Sequence, residues 1–287
     1  MKVFVAKDAG YCFGVRDAVN LAYKTADKYG NVYMLGDIVH NENVVKDLKN
    51  AGTKVVQSLK EIPGKNPVLF RAHGTETQVW KNAKEKNMNI IDATCPLVRE
   101  IHDEVSKLEK ERRRIIIIGD HGHDEVIGIA SQVADPIIIE NPEEAKSLRK
   151  MKKAGIVSQS TQTIENVQNI INILMTKVFD LRFVNTICFP TKRNQNQIKE
   201  LADLCDVMLI IGSFTSANSK RLAQLSRVRN SNSHQITCAK DIHSDWFLNA
   251  ESVGISAGAS TPDNLIEEVV EYVTHFGQEK EKEMVYG

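Results

Sequence analysis

Three of the five cysteines in this 287-residue chain recur in one pattern that could hold a metal centre. Cys12, Cys95 and Cys188 each follow a short apolar stretch and precede an amphipathic one, in "VFVAKDAGYCFGVRDAV", "NIIDATCPLVREIHDEV" and "RFVNTICFPTKRNQNQI". Three convergent thiolates could bind zinc together with a water molecule. They could also bind a cubane iron–sulfur cluster, one iron of which would keep an open position for substrate. The residue types leave both metals open.

A second repeated position carries side chains that suit an anionic ligand. Gly36, Gly119 and Gly212 stand 24 residues after the three cysteines, and four residues further on stand His40, His123 and Ser216. His73 ends another apolar stretch, and "SFTSANSKRL" and "GASTPDNL" offer hydroxyls and amides at predicted helix starts. The free N–H groups of a helix start bind phosphate, and no Walker loop is present. We therefore expect a phosphate-bearing ligand.

The remaining titratable residues divide into one candidate and several structural groups. Glu125 follows His123 at the end of an apolar run and is the candidate carboxylate. Cys205 and Cys238 have no counterparts in the repeat, so we expect them to serve in packing. His121 lies near the predicted site without a clear direction. The histidines expected to be structural or at the surface are His102, His234, His243 and His275.

The elements that position these residues form a threefold internal repeat. Each copy contains four apolar strand-like stretches, each followed by a helical or short polar stretch, which predicts an α/β fold with largely parallel sheets. We expect three pseudo-threefold-related α/β units, at residues 1–95, 96–188 and 189–287, the last with a solvated C-terminal tail from residue 277. Ligands bind beyond the carboxyl ends of parallel strands. Three such edges would converge on one central site.

Composition excludes several classes of protein. Lys+Arg and Asp+Glu are equal at 37 each, so nothing indicates a nucleic acid or an anionic membrane as partner. The longest apolar runs are too short to cross a bilayer, and no signal-peptide run opens the sequence. An odd number of cysteines spread across the chain argues against a disulfide framework. The absence of a CxxC pair excludes the common zinc-ribbon and thioredoxin signatures. We expect a cytoplasmic protein.

The motifs together resemble those of the LytB/IspH family of 4-hydroxy-3-methylbut-2-enyl diphosphate reductases. The similarity covers essentially the whole chain. The matching stretches are "GYCFGVRDAV", "GDIVHNENVV", "FRAHGT", "DATCPLV", "GDHGHDEVIG", "SQST", "GSFTSANSKRL" and "AGASTPD".

The resemblance implies a role for each motif residue. It implies that Cys12, Cys95 and Cys188 hold one [4Fe–4S] cluster per chain. It implies a diphosphate pocket made of His40, His73, His123, Ser216, Asn218 and Ser260. Glu125 matches the proton-delivering glutamate, and Ser160, where the family more often has Thr, would lie beside the substrate hydroxyl. Asp124 and Ala217 depart from the usual Pro and Ser.

The implied reaction is a two-electron reductive dehydroxylation that yields isopentenyl and dimethylallyl diphosphate, the last step of the methylerythritol phosphate route. Electrons would come from a ferredoxin- or flavodoxin-type carrier, because the sequence has no flavin or nicotinamide motif. Two other functions stay open. A zinc-dependent phosphohydrolase could use the same Cys/His cavity, and a non-enzymatic iron–sulfur sensor could use the same cysteines.

Overall fold

Short runs of β-branched residues in this chain form parallel strands, because branched side chains pack well on a pleated surface. The computed structural model describes the backbone of residues 1–286 and the side chains of residues 1–278. In that part of the chain, twelve strands form three four-stranded sheets, and every strand pair is parallel. The predicted α/β fold with parallel sheets is therefore confirmed.

All three sheets have the same strand order. The first sheet runs β3 (Thr53–Val56), β2 (Val32–Leu35), β4 (Val68–Phe70), β5 (Ile90–Asp92). The second runs β7 (Ile137–Ile139), β6 (Arg114–Ile118), β8 (Met151–Ser158), β9 (Val178–Phe183). The third runs β11 (Ser233–Ile236), β10 (Val207–Ile211), β12 (Ser252–Ala257), β1 (Lys2–Val5). In each sheet the strand before a repeated glycine lies second, and the strand before a repeated cysteine lies at the edge.

Strand β1 joins the sheet built by the far end of the chain. It pairs with β12 from Lys2 opposite Ser252 to Val5 opposite Ile255. The first and second sheets lie inside the predicted ranges 1–95 and 96–188, whereas the third sheet takes one strand from the first range. The three ranges themselves stay a prediction.

Internal contacts divide the chain into two bodies. The terminal body consists of Met1–Phe13, His40–Glu42 and the residues from Phe189 onward, and it contains the third sheet. The central body consists of Gly14–Val39 and Asn43–Cys188, and it contains the first and second sheets.

Helices or short 3-10 turns connect the parallel strands, as such connections require, and a last helix follows the final strand. The helices are α1 (Phe13–Tyr29), α2 (Glu42–Asn50), α3 (Thr77–Glu85), α4 (Pro96–Lys110), α5 (Asp124–Ala130), α6 (Pro142–Ser147), α7 (Ile164–Leu174), α8 (Phe189–Leu204), α9 (Ala217–Arg229) and α10 (Asp263–Tyr286). Helix α4 shows why they pack on the sheets. Its buried residues are Val98, Ile101, Val105 and Leu108, which share one face at helical spacing.

The isoleucines of β6 separate two layers of the core. Ile116 and Ile118 pack with residues of α7, whereas Ile115 and Ile117 pack with residues of α4 and α5. All four are at most 3% exposed, so each contributes about 1.5–3 kcal/mol through burial. This packing anchors the strand that leads to Gly119 and Glu125.

The C-terminal stretch from residue 277 begins within a helix, and its solvated character stays a prediction. Helix α10 continues to Tyr286, and the Glu, Lys and Gln residues of this stretch are good helix formers. Residue 287 lies outside the described part. Among the helices described, we find none with both the length and the apolar character needed to cross a bilayer.

Candidate active-site residues

The three repeated cysteines occupy equivalent backbone positions in their sheets. Each cysteine amide donates a hydrogen bond to a carbonyl two residues beyond the third strand of its sheet. The pairs are Cys95 to Ala72 (3.0 Å), Cys188 to Ser160 (3.0 Å) and Cys12 to Ala259 (3.3 Å). Each cysteine is thus tied to the carboxyl end of a buried strand, where ligands bind in parallel sheets.

The surroundings of Cys95 suit a thiolate ligand. Cys95 is the N-cap of α4, with Pro96 in the first turn, and the N-terminus of a helix attracts negative charge. The Asp92 carboxylate fixes the preceding turn, since it accepts hydrogen bonds from the N–H (3.0 Å) and hydroxyl (2.5 Å) of Thr94. A Cβ at Gly14 would overlap the Cys95 Sγ, so the glycine makes room for the sulfur.

Glu125 and Ser160 form a buried pair in the central body. Ser160 donates its backbone N–H to Glu125 Oε1 at 2.6 Å and its hydroxyl to Glu125 Oε2 at 2.8 Å. Glu125 is 1% exposed and Ser160 is 7% exposed. The pair lies just beyond the carboxyl ends of β6 and β8, which are neighbours in the second sheet. A carboxyl and a hydroxyl in this contact can pass a proton between them.

His123 is oriented by the start of α5. Its Nδ1 accepts a hydrogen bond from the Glu125 N–H at 3.1 Å and caps the helix. A neutral ring in this arrangement carries its proton on Nε2, which makes that atom a donor. His73 lies against His123 edge to face, with ring centroids 5.8 Å apart. The two histidines predicted to bind the diphosphate in this body therefore lie together.

Asp124, one of the departures from the family pattern, forms an ion pair. Its Oδ2 lies 2.5 Å from Arg71 Nη1, and both side chains are partly buried. Arg71 in turn packs over Gly36, where a Cβ would lie 2.7 Å from Arg71 Nη1. The ion pair between Asp124 and Arg71 thus links the first turn of α5 to the loop after β4.

The terminal body holds a second carboxylate that our sequence analysis did not single out. Glu42 Oε1 accepts hydrogen bonds from the hydroxyls of Ser213 (2.7 Å) and Thr215 (3.1 Å). Partial desolvation alone would raise the pKa of Glu42. Hydrogen bonds from Ser213, its own backbone and Thr215, together with the charge of His40, outweigh burial and lower this pKa below its ordinary value. The sequence did contain a signal for Glu42, because it stands two residues after His40, as Glu125 stands two residues after His123.

Polar residues of the terminal body surround the start of α9. Ser216 is the N-cap, and its hydroxyl accepts from the Ser219 N–H at 3.3 Å. The Ser260 hydroxyl donates to the carbonyl oxygen of His40 at 3.1 Å. Asn218 is 7% exposed, yet its buried Nδ2 has no hydrogen-bond partner in the part of the chain described. A buried amide N–H₂ without a partner is costly, and an anionic oxygen would satisfy it.

Ser219 explains two of the glycines in this body. A Cβ at Gly212 or at Gly258 would overlap the Ser219 Oγ. The glycines therefore let α9 approach the ends of β10 and β12 closely.

The residues expected to be structural are placed consistently with that role. Burial, with the Asp206 charge, raises the pKa of the Cys205 thiol to about 11, so it stays protonated at neutral pH. Cys238 caps a short 3-10 turn. His102 packs against Gly74 and Gly128, and burial lowers its pKa. His234 stacks on Trp246 with ring centroids 3.7 Å apart.

His121, whose direction the sequence left undecided, points to acidic side chains. Its Nε2 lies 2.9 Å from Glu144 Oε2. It is exposed and forms a cluster with Glu140 and Glu144. His121 thus contacts Glu144 of helix α6.

The fold and these residues define an α/β protein in which three like sheets each present a cysteine at an edge strand. The chain belongs to the LytB protein family, whose model matches residues 3–274. This resemblance was expected from the motifs and is confirmed.

Named relatives match over nearly their full length. The chain is 38% identical to the 4-hydroxy-3-methylbut-2-enyl diphosphate reductase of Geobacter sulfurreducens over 281 residues, covering 98% of this chain and 99% of the relative. It is 38% identical to the reductase of the same name from Geotalea uraniireducens over 283 residues, covering 98% and 99%.

A solved structure agrees with the fold. The E-1-hydroxy-2-methyl-but-2-enyl-4-diphosphate reductase of Plasmodium falciparum superposes with a TM-score of 0.91 at 28% identity, covering 95% of this chain and 88% of that one. A structure described as an (E)-4-hydroxy-3-methyl-but-2-enyl diphosphate reductase is 35% identical, with a TM-score of 0.70 over 96% and 100% of the two chains.

Proposed function

We propose that this protein is a 4-hydroxy-3-methylbut-2-enyl diphosphate reductase and catalyses the last step of the methylerythritol phosphate route to isoprenoids. The allylic alcohol would take up two electrons and two protons, lose its oxygen as water, and yield isopentenyl or dimethylallyl diphosphate. The observation that carries the proposal is the Glu125–Ser160 pair, a buried carboxyl with a hydroxyl as its hydrogen-bond partner. The names of the full-length relatives agree with it.

The cofactor of the proposed reaction is one [4Fe–4S] cluster per chain, held by Cys12, Cys95 and Cys188. The repeated backbone positions of these cysteines support this ligand set. So does Gly14, whose missing side chain makes room for the Cys95 sulfur. When bound, the cluster supplies the electrons and an iron position open to the substrate hydroxyl.

Glu125 and Ser160 are the residues we assign to proton transfer. A proton on Glu125 Oε2 would pass to the Ser160 hydroxyl, and Ser160 would give its own proton to the departing substrate oxygen. The Ser160 N–H bond to Oε1 holds the carboxyl in place. Because the carboxyl is 1% exposed, bulk water does not compete for this proton.

The diphosphate would be bound by side chains that can donate hydrogen bonds. In the central body these are His73 and His123, and in the terminal body they are His40, Ser216, Asn218 and Ser260. The unsatisfied Nδ2 of Asn218 supports this assignment. These contacts are remote from the bond that breaks, so they would serve to orient the allylic group.

The electron source and the location are also proposals. We propose a ferredoxin- or flavodoxin-type carrier as the donor. We propose a cytoplasmic location, supported by an odd number of cysteines spread along the chain, which argues against a disulfide framework.

Anaerobic purification followed by metal and turnover analysis tests the proposal. We expect a brown protein with about four irons and four sulfides per chain, which converts the allylic diphosphate to two products with a chemical reductant. Cys12→Ser, Cys95→Ser and Cys188→Ser should each lose iron, whereas Cys205→Ala and Cys238→Ala, the matched controls, should retain it.

Three results would contradict the proposal. Zinc without iron, together with phosphate release, would indicate a phosphohydrolase. A full cluster without turnover would indicate a sensor. Full iron content in a Cys95→Ser/Cys188→Ser variant would overturn the ligand set.

A further inference from the structure

A strongly basic cleft lies at the amino ends of β6 and β8, in the central body. Its volume is about 850 Å³, within the range of small-molecule sites. The ten residues that line it include seven cations and no carboxylate. These are Arg112, Arg113, Arg114, Ile137, Leu148, Arg149, Lys150, Met151, Lys152 and Lys153. The whole chain is charge-balanced, so this concentration of one sign is local.

Three of the seven cations already have partners. Arg113 pairs with Glu111 at 2.8 Å and with Asp180 at 3.0 Å. Arg114 pairs with Asp135, and Lys153 Nζ donates to the Glu111 carbonyl oxygen at 2.9 Å.

The other four have no carboxylate partner within the described side chains. They are Arg112, Arg149, Lys150 and Lys152, and all four are exposed. Like charges side by side repel one another. An anion that neutralised several of them would therefore bind favourably.

Arg112 is held in an unusual backbone conformation. Its φ is +58°, in the left-handed region just after α4, where glycine is usual. A side chain with a Cβ pays energy in this region. Strained residues cluster where they serve a function, and here the strained position brings a third consecutive arginine to the cleft.

The floor of the cleft is apolar. Ile137, Leu148 and Met151 line it and are only partly buried against the core of the second sheet. A ligand that combines phosphates with an apolar or aromatic group would satisfy both the cations and this floor. Arginine binds phosphate oxygens in pairs, and lysine adds a point charge.

The cleft is remote from the Glu125–Ser160 pair. Both lie on β6 and β8, but the cleft is at the first residues of these strands and the pair follows their last residues. At about 3.3 Å per residue, the five residues of β6 separate them by roughly 16 Å. Helix α4, about 22 Å long, separates Cys95 from Arg112.

We propose that this cleft is a second anion-binding site, which takes a small organic diphosphate or triphosphate. The ligand is a small molecule rather than a nucleic acid, because these cations line a single cleft of about 850 Å³ and the chain as a whole is charge-balanced. Nucleotides and prenyl diphosphates share the required chemistry.

Isothermal titration of the full chain, as purified, tests the site with ADP, geranyl diphosphate and inorganic pyrophosphate. We expect an organic probe to bind more tightly than pyrophosphate, with an affinity that falls as salt rises. The proposed diphosphate pocket can also bind these probes, so only the binding that Lys150→Gln/Lys152→Gln weakens is assigned to the cleft. Within that part, tighter ADP binding assigns the site to nucleotides, and tighter geranyl diphosphate binding assigns it to prenyl diphosphates.

A pair of matched variants locates the binding. Lys150→Gln/Lys152→Gln should weaken binding of the preferred probe about tenfold or more, the loss of about one hydrogen bond to a charged group. Lys46→Gln/Lys49→Gln removes two exposed lysines of α2 and should leave it unchanged. In the absence of the probe, both variants should turn over substrate at the same rate. Loss of probe binding at the cleft can therefore be told apart from loss of the proposed reductase activity.

Several outcomes overturn the inference. One is an affinity for the preferred probe that is the same in Lys150→Gln/Lys152→Gln and in Lys46→Gln/Lys49→Gln. Others are the absence of binding by all three probes at millimolar concentration, and pyrophosphate binding at the cleft, measured as the part lost in Lys150→Gln/Lys152→Gln, that is as tight as binding of the organic probes. Binding of an RNA oligonucleotide alone would also replace this proposal.

Discussion

Glu125 and Glu42 occupy the same position of the repeat but have different surroundings. Each stands two residues after a histidine, in the first turn of a helix. Glu125 is 1% exposed and accepts hydrogen bonds from the N–H and hydroxyl of one residue, Ser160. Glu42 is exposed, accepts from the hydroxyls of Ser213 and Thr215, and has a lowered pKa.

The difference shows that the repeat places a carboxyl group at the same position in two copies, whereas burial and hydrogen-bond partners determine whether that group can donate a proton. A carboxyl with a lowered pKa is ionised at neutral pH and is a poor proton donor. A buried carboxyl bonded to a hydroxyl can donate when a charge develops nearby. We therefore propose that Glu125 delivers the proton and that Glu42 orients the turn that contains Ser213 and Thr215.

The largest expected effect comes from replacing the carboxyl group of Glu125, with the same change at Glu42 for comparison. Glu125→Gln keeps size and hydrogen bonding but cannot donate a carboxyl proton, so kcat with a chemical reductant should fall about 10²–10⁴-fold. Glu42→Gln, the matched change, should leave kcat within about threefold of the parent, since this carboxyl is not a donor.

Substrate affinity and the cluster spectrum serve as controls for both variants and should be unchanged. If the two variants lost the same factor in kcat, the assignment of different roles would be wrong.

The third copy of the repeat has Asn218 at the position where the other two copies have glutamate. We expect this residue to act in substrate binding. Asn218→Ala removes the Nδ2 donor that lacks a protein partner. We expect KM for the diphosphate to rise about tenfold, the loss of one hydrogen bond to a charged group, with no loss of stability in thermal unfolding.

Asn194→Ala is the matched control. Asn194 is also buried, but it donates to the Ala257 carbonyl at 3.0 Å and accepts from the Ser256 hydroxyl at 3.1 Å. This variant should be destabilised by about 1–3 kcal/mol with KM nearly unchanged. A stability loss of the same size in Asn218→Ala would indicate a structural role for Asn218 instead.

A smaller effect concerns pH. Because the pKa of Glu42 is lowered in the folded protein, its ionised form stabilises the fold above the unfolded pKa, and this contribution is lost as pH falls through the folded pKa. Denaturant unfolding of the parent and Glu42→Gln should therefore show a stability difference at pH 7 that shrinks below about pH 4.5. A difference that stayed constant down to pH 3 would exclude a charge effect at Glu42.

The smallest effect tests how firmly α5 holds Glu125. A Cβ at Gly128, one turn after Glu125, would meet no atom nearer than His102 Nε2 at 3.5 Å. Gly128→Ala should raise the free energy of unfolding by about 0.4–1 kcal/mol without changing kcat.

Gly155→Ala in β8 is the contrasting control, since its Cβ would lie 2.9 Å from Leu108 Cβ, and it should destabilise the protein. A fall in kcat for Gly128→Ala would mean that this helix must move during turnover.

The sequence by itself determined the features that depend on local pattern. Period-two and period-3.6 hydrophobicity determines strands and helices, so the three sets of four strand–helix pairs were predictable. The 24-residue offsets between Cys95 and Gly119, and at the two equivalent pairs, revealed the repeat. Motif identity then pointed to Glu125, Ser160 and the three cysteines as candidates.

Only the tertiary structure decided the features that depend on residues distant in sequence. The pairing of β1 with β12 joins residues about 250 positions apart, and no local pattern records that partner. The hydrogen bonds that distinguish Glu42 from Glu125 come from Ser213 and Thr215 in one case and from Ser160 in the other. A carboxyl's pKa and role depend on burial and on such partners, which exist only when the chain has folded.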